Sequence, residues 1–481
     1  MSAGDAADRG PGGRRTLVVS RLGLPAGELH ELMAALRPDA AEPGDADAAW
    51  IPEEDAARCT WSGIAEPGDR VAGAVVGVLG AGAALAAVVD GCPASAVVAS
   101  MRDAGLELDE DARVALVDEV GAAVERWRPR VVRSEALARL RAARAVGARV
   151  LVPGAPLWPV GADDLGPHAP LVLWCTGAPE ALAALSRSVA VVGARAATGY
   201  GEHVTADIAA GLVDRGVAVV SGGAYGIDGA AHRAALGSGG STVAFLAGGV
   251  DRLYPAGHAD LFGRMRREGA VVSELPCGAS PTRWRFLLRN RLIAAVSAAT
   301  VVVEAGARSG SLNTANHAIA LERPLGAVPG PVTSVSSSGC HRLIRESGAA
   351  LVASADHVMD LVPGWSGVTA QQGGEGGALR APPEARPRDA PSGTTSGMMS
   401  GTGPHTRRTG GTVRAGAPSD GDPRIGRVLD ALAVRRARET SEVAARAGLG
   451  VAEASSVLGL LELEGHVARP DGGWVRRPSS R

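Results

Sequence analysis

Between residues 188 and 330, six short β-branched runs alternate with amphipathic segments, and this alternation narrows the possible folds more than any other feature. The runs are VAVV at 189, VAVV at 217, TVAFLA at 242, AVVSE at 270, TVVVEA at 300 and PLGAVPG at 324. Their apolar residues are largely consecutive rather than alternate, so each strand would be buried on both faces. Strands of that kind separated by helices form a parallel sheet covered on either side. The sequence thus predicts an α/β protein with an extended Rossmann-like doubly wound sheet domain over residues 145–362.

The flanks read differently. Residues 58–144 predict a small helical domain, as in DARVALVDEVGAAVERW, where apolar positions recur at three- and four-residue intervals. Residues 1–57, rich in Ala, Asp, Pro and Gly, are expected to be variable and partly disordered. Residues 363–422 offer Gly, Ser, Thr and Pro with no apolar face, the composition of a disordered linker. Residues 423–481 recover two helices, a glycine turn at AGLG, a third helix and a glycine-turned hairpin, a winged helix. The uncharged stretch at 71–89 approaches the ~20 residues of a membrane span. It is mostly Ala and Gly, however, and GAG at 80–82 divides it into two short helices suited to a soluble bundle, so no membrane association is expected.

Charge gives no global nucleic-acid signature, with a net charge of -2 and an isoelectric point near 6.6. Its distribution is more informative: residues 187–360 hold 16 arginines against 13 carboxylates, a net +3 that leaves -5 for the remainder. All 49 basic residues are arginine, which reflects compositional bias toward Ala, Gly and Arg. The five cysteines are widely spaced without C-x-x-C, so neither a zinc site nor a disulfide framework is indicated. The first 15 residues lack the charged-then-apolar pattern of a signal peptide, and a cytoplasmic location is expected.

In an open α/β sheet, ligands lie beyond the carboxyl ends of the strands, where helix N-termini present free N–H groups to anions. Four segments are placed to reach that rim. GARAATGYG follows the first strand with Arg195 inside a glycine-rich turn, and its glycines depart from the G-x-G-x-x-G of a dinucleotide site. SGGAYGID, residues 221–228, can form a second cradle. RWRFLLRNRLIAAV puts Arg283, Arg285, Arg289 and Arg291 within nine residues without a carboxylate, with Arg285 and Arg289 on one helix face. EAGARSGSLNTANHA offers the hydroxyls of Ser309, Ser311 and Thr314 beside Gly310. Together they predict an anion-binding ridge.

The order and wording of these motifs, with GCHRLIRESGA beyond them, closely resemble the DNA-processing protein A family, also called DprA or Smf, over about residues 145–362. The resemblance implies a non-enzymatic protein that binds single-stranded DNA, protects it and helps load RecA recombinase in natural transformation or recombination. It also implies a homodimer. The family's G-[SA]-R motif falls on Gly193, Ala194 and Arg195, and S-G-x-A-x-G-I-D begins at Ser221, Gly222 and Gly223. R-N-R is Arg289, Asn290 and Arg291, and S-G-S-L-x-T-A contains Ser309, Gly310, Ser311 and Thr314. All of these are expected to meet DNA phosphate, with Tyr200 and Tyr225 as candidates for base stacking, although core or hinge roles suit those two better. No catalytic residue, metal or cofactor is expected. The chain departs from many relatives at GCHRLI, with His341, and lacks any lysine. Arginine replaces the charge but not the geometry of an ammonium.

Backbone N–H groups and arginines grip phosphate without reading bases, so binding should be sequence-independent and salt-sensitive. Arg195 and Arg289 are expected at the surface, where replacement would weaken binding with little effect on the fold. The main alternative is a Rossmann-fold nucleotide phosphoribohydrolase, whose P-G-G-x-G-T-x-x-E glutamate has no counterpart here: after Glu304 the next carboxylate is Glu322. A third reading, a duplex-binding repressor, meets a recognition segment, GVAEASSVLGLLELEG, with three glutamates and no arginine. A protein-interaction or autoregulatory module fits that segment better.

Overall fold

Apolar runs flanked by helices pair side by side because their backbone groups need partners once both faces are dry. The computed structural model describes residues 25–41, 50–365, 422–434, 436–470 and 473–477. The six predicted runs form β3 (Ser188–Val192), β4 (Ala218–Ser221), β5 (Thr242–Phe245), β6 (Ala270–Ser273), β7 (Ala299–Val302) and β8 (Leu325–Ala327). Three further strands extend the sheet: β1 (Arg149–Leu151), β2 (Leu173–Gly177) and β9 (Ala350–Leu351). The spatial order is β1-β2-β6-β5-β4-β3-β7-β8-β9. From β6 to β9 every pairing is parallel, whereas β2 runs antiparallel to β6 and β1 antiparallel to β2.

The chain winds outward from β3 to β6, then returns across the sheet to β7 on the other side of β3. Helices α8 (Gly199–Asp214) and α9 (Ile227–Gly237) follow β3 and β4, and α10 (Ala259–Glu268) follows β5. The return runs through α11 (Arg283–Ala295); α12 (Ser311–Ala320), α13 (Ser338–Glu346) and α14 (Ala355–Met359) complete the winding. Alternate β3 residues enter different cores. Val189 and Val191 pack with Ile208, Leu212 and Ile227, whereas Ala190 and Val192 pack with Ile293 and Ala315. Covering both faces is what the consecutive apolar pattern required.

The N-terminal helices are α1 (Ala26–Leu36), α2 (Pro52–Ile64), α3 (Arg70–Leu79), α4 (Ala81–Val89), α5 (Ala94–Asp103), α6 (Glu110–Trp127) and α7 (Arg133–Ala145). Of the first 57 residues, 25–41 and 50–57 are described, and most of these are helical. Leu29, Leu32, Met33 and Leu36 of α1 are buried, and Arg37 meets Asp55 of α2 at 2.6 Å. The apolar stretch at 71–89 does break at Gly80, whose φ of 81° ends α3, and the two helices bend by 114°. The Glu54 carboxylate receives the N–H groups of Ala81 and Gly82 at the start of α4. Among the described residues no single helix is long and apolar enough to cross a membrane.

Past the stretch read as a linker, of which residues 366–421 lie outside the described residues, the expected winged helix forms. It comprises α15 (Pro423–Ala431), α16 (Thr440–Ala447), α17 (Val451–Leu463) and the hairpin β10 (Val467–Ala468) and β11 (Val475–Arg476). Gly448 makes the turn in the left-handed region, with φ 67°. The Trp474 indole N–H fastens the hairpin to Thr440 Oγ1 at 3.0 Å. This unit rests on the rest of the fold through two arginines. Arg130 donates Nε–H to Ala445 O at 2.7 Å, and the Arg427 guanidinium lies 5.3 Å from the Trp284 ring of α11.

Candidate functional site

A β3 strand flanked by β4 on one side and β7 on the other is a topological switch point, where flanking loops diverge and leave a crevice. A cleft of about 640 Å3 opens there. It is walled by Gly193, Ala194 and Arg195 after β3, Asp228 in the first turn of α9, residues 286–293 of α11 in part, and residues 306–311 with Thr314 after β7. The four segments singled out in the sequence therefore converge. Gly226 makes this possible: its φ is 74°, and a Cβ there would stand 2.2 Å from Ala194 O, so the two βα turns pack backbone to backbone.

The cationic groups of the cleft fall into two kinds. Arg195 is exposed, and its guanidinium stands 4.8 Å from the centre of the Phe286 ring. Arg308 is also exposed in the opposite wall. Neither has a carboxylate partner among the described residues. Arg289, by contrast, is only 6% exposed. Its Nη1 donates to Gly222 O at 2.7 Å and to Phe245 O, tying α11 to the ends of β4 and β5. Burial pushes its pKa down to about 10 despite the neighbouring Asp228. The expectation of a surface arginine fails here because its acceptors stand at the ends of two strands remote in sequence.

Other expected phosphate ligands are also spent internally. Arg291 points away from the cleft, with Nη2 2.7 Å from Glu274 and Nε donating to His168 O. Arg285 meets Glu66 of the helical region through both Nε and Nη2 and does not share the cleft with Arg289. The arginine run lacks carboxylates only in sequence, since Glu66 and Glu274 are folded onto it. The Ser221 hydroxyl is buried and donates to Val191 O at 2.7 Å. The N–H groups of Gly222 and Ala224 go to Asp228 Oδ2, so the turn at Gly222 and Gly223 cradles an internal carboxylate rather than an external anion. Burial raises the Asp228 pKa, opposed by Arg289.

Asn290, Ser309, Gly310, Ser311 and Thr314 do line the cleft. Asn290 Nδ2 donates to Gly310 O, and the Ser309 and Ser311 hydroxyls are 2.8 Å apart. Tyr200 and Tyr225 lie outside its lining, 43% and 47% exposed, which removes the core-packing role. The Tyr200 hydroxyl donates to Pro329 O, and the Tyr225 ring stands edge-on to His258. The cleft's aromatic ring and its second exposed cation, Phe286 and Arg308, are not among the residues singled out from sequence. Both sat inside quoted motifs; Phe286 is one of only three phenylalanines, and that scarcity was the available signal.

His232 is fully buried behind the site. Thr242 Oγ1 gives its own proton to Val219 O, so His232 Nδ1–H must be the donor in their 2.8 Å contact, and Nε2 has no partner. Burial, aided by His258, Arg289 and Arg233, pushes its pKa from 6.5 down to about 3. The unfolded chain takes up this proton below pH 6.5 and the native state does not. The neutral ring thus contributes stability that is complete above pH 6.5 and is lost on acidification toward 3, by up to about 1.4 kcal/mol per pH unit. Denaturant melts of wild type and His232→Asn across that window should differ in slope by close to one proton.

A Rossmann-like sheet with a cleft bearing exposed arginines at its switch point, joined to a winged helix, defines a doubly wound α/β protein with a C-terminal winged helix. Residues 149–363 match the family described as DNA recombination-mediator protein A, and residues 413–473 match the DprA winged helix domain. The chain belongs to the DprA/Smf family. It is 56% identical over 227 residues to a DNA processing protein DprA of Mycobacterium tuberculosis, covering 45% of this chain and 58% of that one. Protein Smf of Escherichia coli is 42% identical over 176 residues, covering 36% and 47% respectively. The chain therefore spans about half the length of these curated relatives. The X-ray structure of DprA from Streptococcus pneumoniae is 28% identical, with a TM-score of 0.45, over 56% of this chain and 86% of that one.

Proposed function

We propose that the chain binds single-stranded DNA without regard to sequence, protects it and helps load RecA recombinase during transformation or recombination, acting as a cytoplasmic homodimer. The observation that carries this reading is the pairing of Arg195 and Arg308, both exposed and without carboxylate partners among the described residues, across a cleft that also holds the Phe286 ring. Guanidinium groups grip phosphates, and an aromatic face accepts any base, which is the equipment of a sequence-tolerant strand binder. The carboxylates beside the cleft favour binding over acid–base chemistry: Asp228 and Glu304 are each engaged with backbone N–H groups or hydroxyls.

Titration of the full chain with labelled oligo-dT, a mixed-sequence strand and the matching duplex tests this reading. Both single strands should bind with similar affinity and more tightly than the duplex, with affinity falling steeply as salt rises. Nucleoside monophosphates incubated with the protein should remain intact. Release of free base, or preference for the duplex, would replace the reading with the hydrolase or the repressor. Addition of RecA should increase the rate of filament formation on strand already bound.

A further inference from the structure

The first turn of α8 is where a Rossmann-like crevice ordinarily seats a phosphate, because unpaired N–H groups and the helix dipole meet there. In this chain that seat is filled from within. Glu304, at the end of β7 and only 2% exposed, takes the Thr198 N–H on Oε2 at 2.9 Å and the Thr198 hydroxyl on Oε1 at 2.7 Å. Ser336 donates to the same Oε1 at 3.2 Å. Gly201 in the first turn leaves the room, since a Cβ there would stand 2.2 Å from Glu304 Oε2. The Glu304 main chain holds the other end of the same turn, its carbonyl accepting Ala194 N–H at 2.7 Å.

We propose that Glu304 is a resident anion in the phosphate seat, and that by occupying it the carboxylate positions the Arg195 turn for a polymer backbone lying outside the seat. The second half rests on the strand-binding reading; the first does not. The turn from 194 to 198 is fixed at both ends by this one residue, so Arg195 is presented on a rigid loop. Arg195 is left facing the open cleft rather than an anion at the helix start. A free carboxylate of similar size and charge should therefore replace the side chain when it is cut away.

The test is chemical rescue in the full-length protein, in formate against chloride at equal ionic strength. Glu304→Ala should melt several degrees below wild type in chloride and recover most of the loss in formate, with wild type indifferent to the anion. Its affinity for oligo-dT should fall about tenfold in chloride, the scale of a lost charged cap, and return in formate. Glu304→Gln fills the seat without charge, so it should lose part of the melting temperature and gain nothing from formate. This variant keeps the test decisive if Glu304→Ala does not fold. Absence of formate-specific recovery in Glu304→Ala, or wild-type melting and affinity in Glu304→Gln, would overturn the proposal. Recovery of melting in a protein whose wild type binds no oligonucleotide would support the seated anion and refute the strand reading alone.

Discussion

Arg289→Ala is expected to destabilise the sheet domain by about 3 kcal/mol, on the order of 10 °C in melting temperature, while Arg195→Ala shifts it by less than about 0.5 kcal/mol. The asymmetry follows from what each guanidinium touches. Arg289 supplies the protons for two strand-end carbonyls, Gly222 O and Phe245 O, and is the cation beside the buried Asp228. Removing it leaves two acceptors unmet and a carboxylate without a counter-charge in a dry setting, each a substantial cost. Arg289→Lys keeps the charge but cannot fork to both carbonyls, so its loss should fall between. Thermal melts of the three variants check the ranking. Equal melting of Arg195→Ala and Arg289→Ala would mean that α11 is not anchored through this side chain.

Sequence alone places both arginines at the surface, and Arg289 departs from that because its acceptors lie far from it along the chain. Periodicity and glycine placement report local geometry, so the six parallel strands, the break at Gly80 and the winged helix could be read directly. Convergence of the four motif segments could also be read, because strand ends in a doubly wound sheet share one rim. Partner choice is non-local. Whether an arginine meets solvent or a carbonyl depends on elements such as the β5 end and the Glu66 loop, which lie far from it along the chain. The same limit hid β1 and β2, whose antiparallel pairing uses a Pro- and Gly-rich segment without a clear period. In the sequence Glu304 stands out only for the carboxylates that do not follow it, and nothing in TVVVEA shows that its side chain closes the α8 turn.

The second large effect concerns salt. Arg195→Ala combined with Arg308→Ala should weaken oligo-dT binding about a hundredfold at moderate salt, two charge-assisted contacts at roughly a decade each. It should also flatten the plot of log affinity against log salt by about 1.4, since each phosphate contact on a single strand contributes about 0.7. Phe286→Ala separates the two contributions in the cleft. Losing the ring removes a stacking surface worth about 1–3 kcal/mol per base, but no counterion is released at a phenyl face, so affinity should fall while the slope holds. The ring also carries the Arg195 guanidinium at 4.8 Å, and a modest change of slope in Phe286→Ala would mean that it orients that arginine as well. Arg113→Ala combined with Arg128→Ala, which removes the same two charges from arginines paired with Glu110 and Glu125 on the helical region, is the control for net charge. If that control flattens the slope as much as the double variant, the affinity comes from the overall field and the cleft is not where the strand lies.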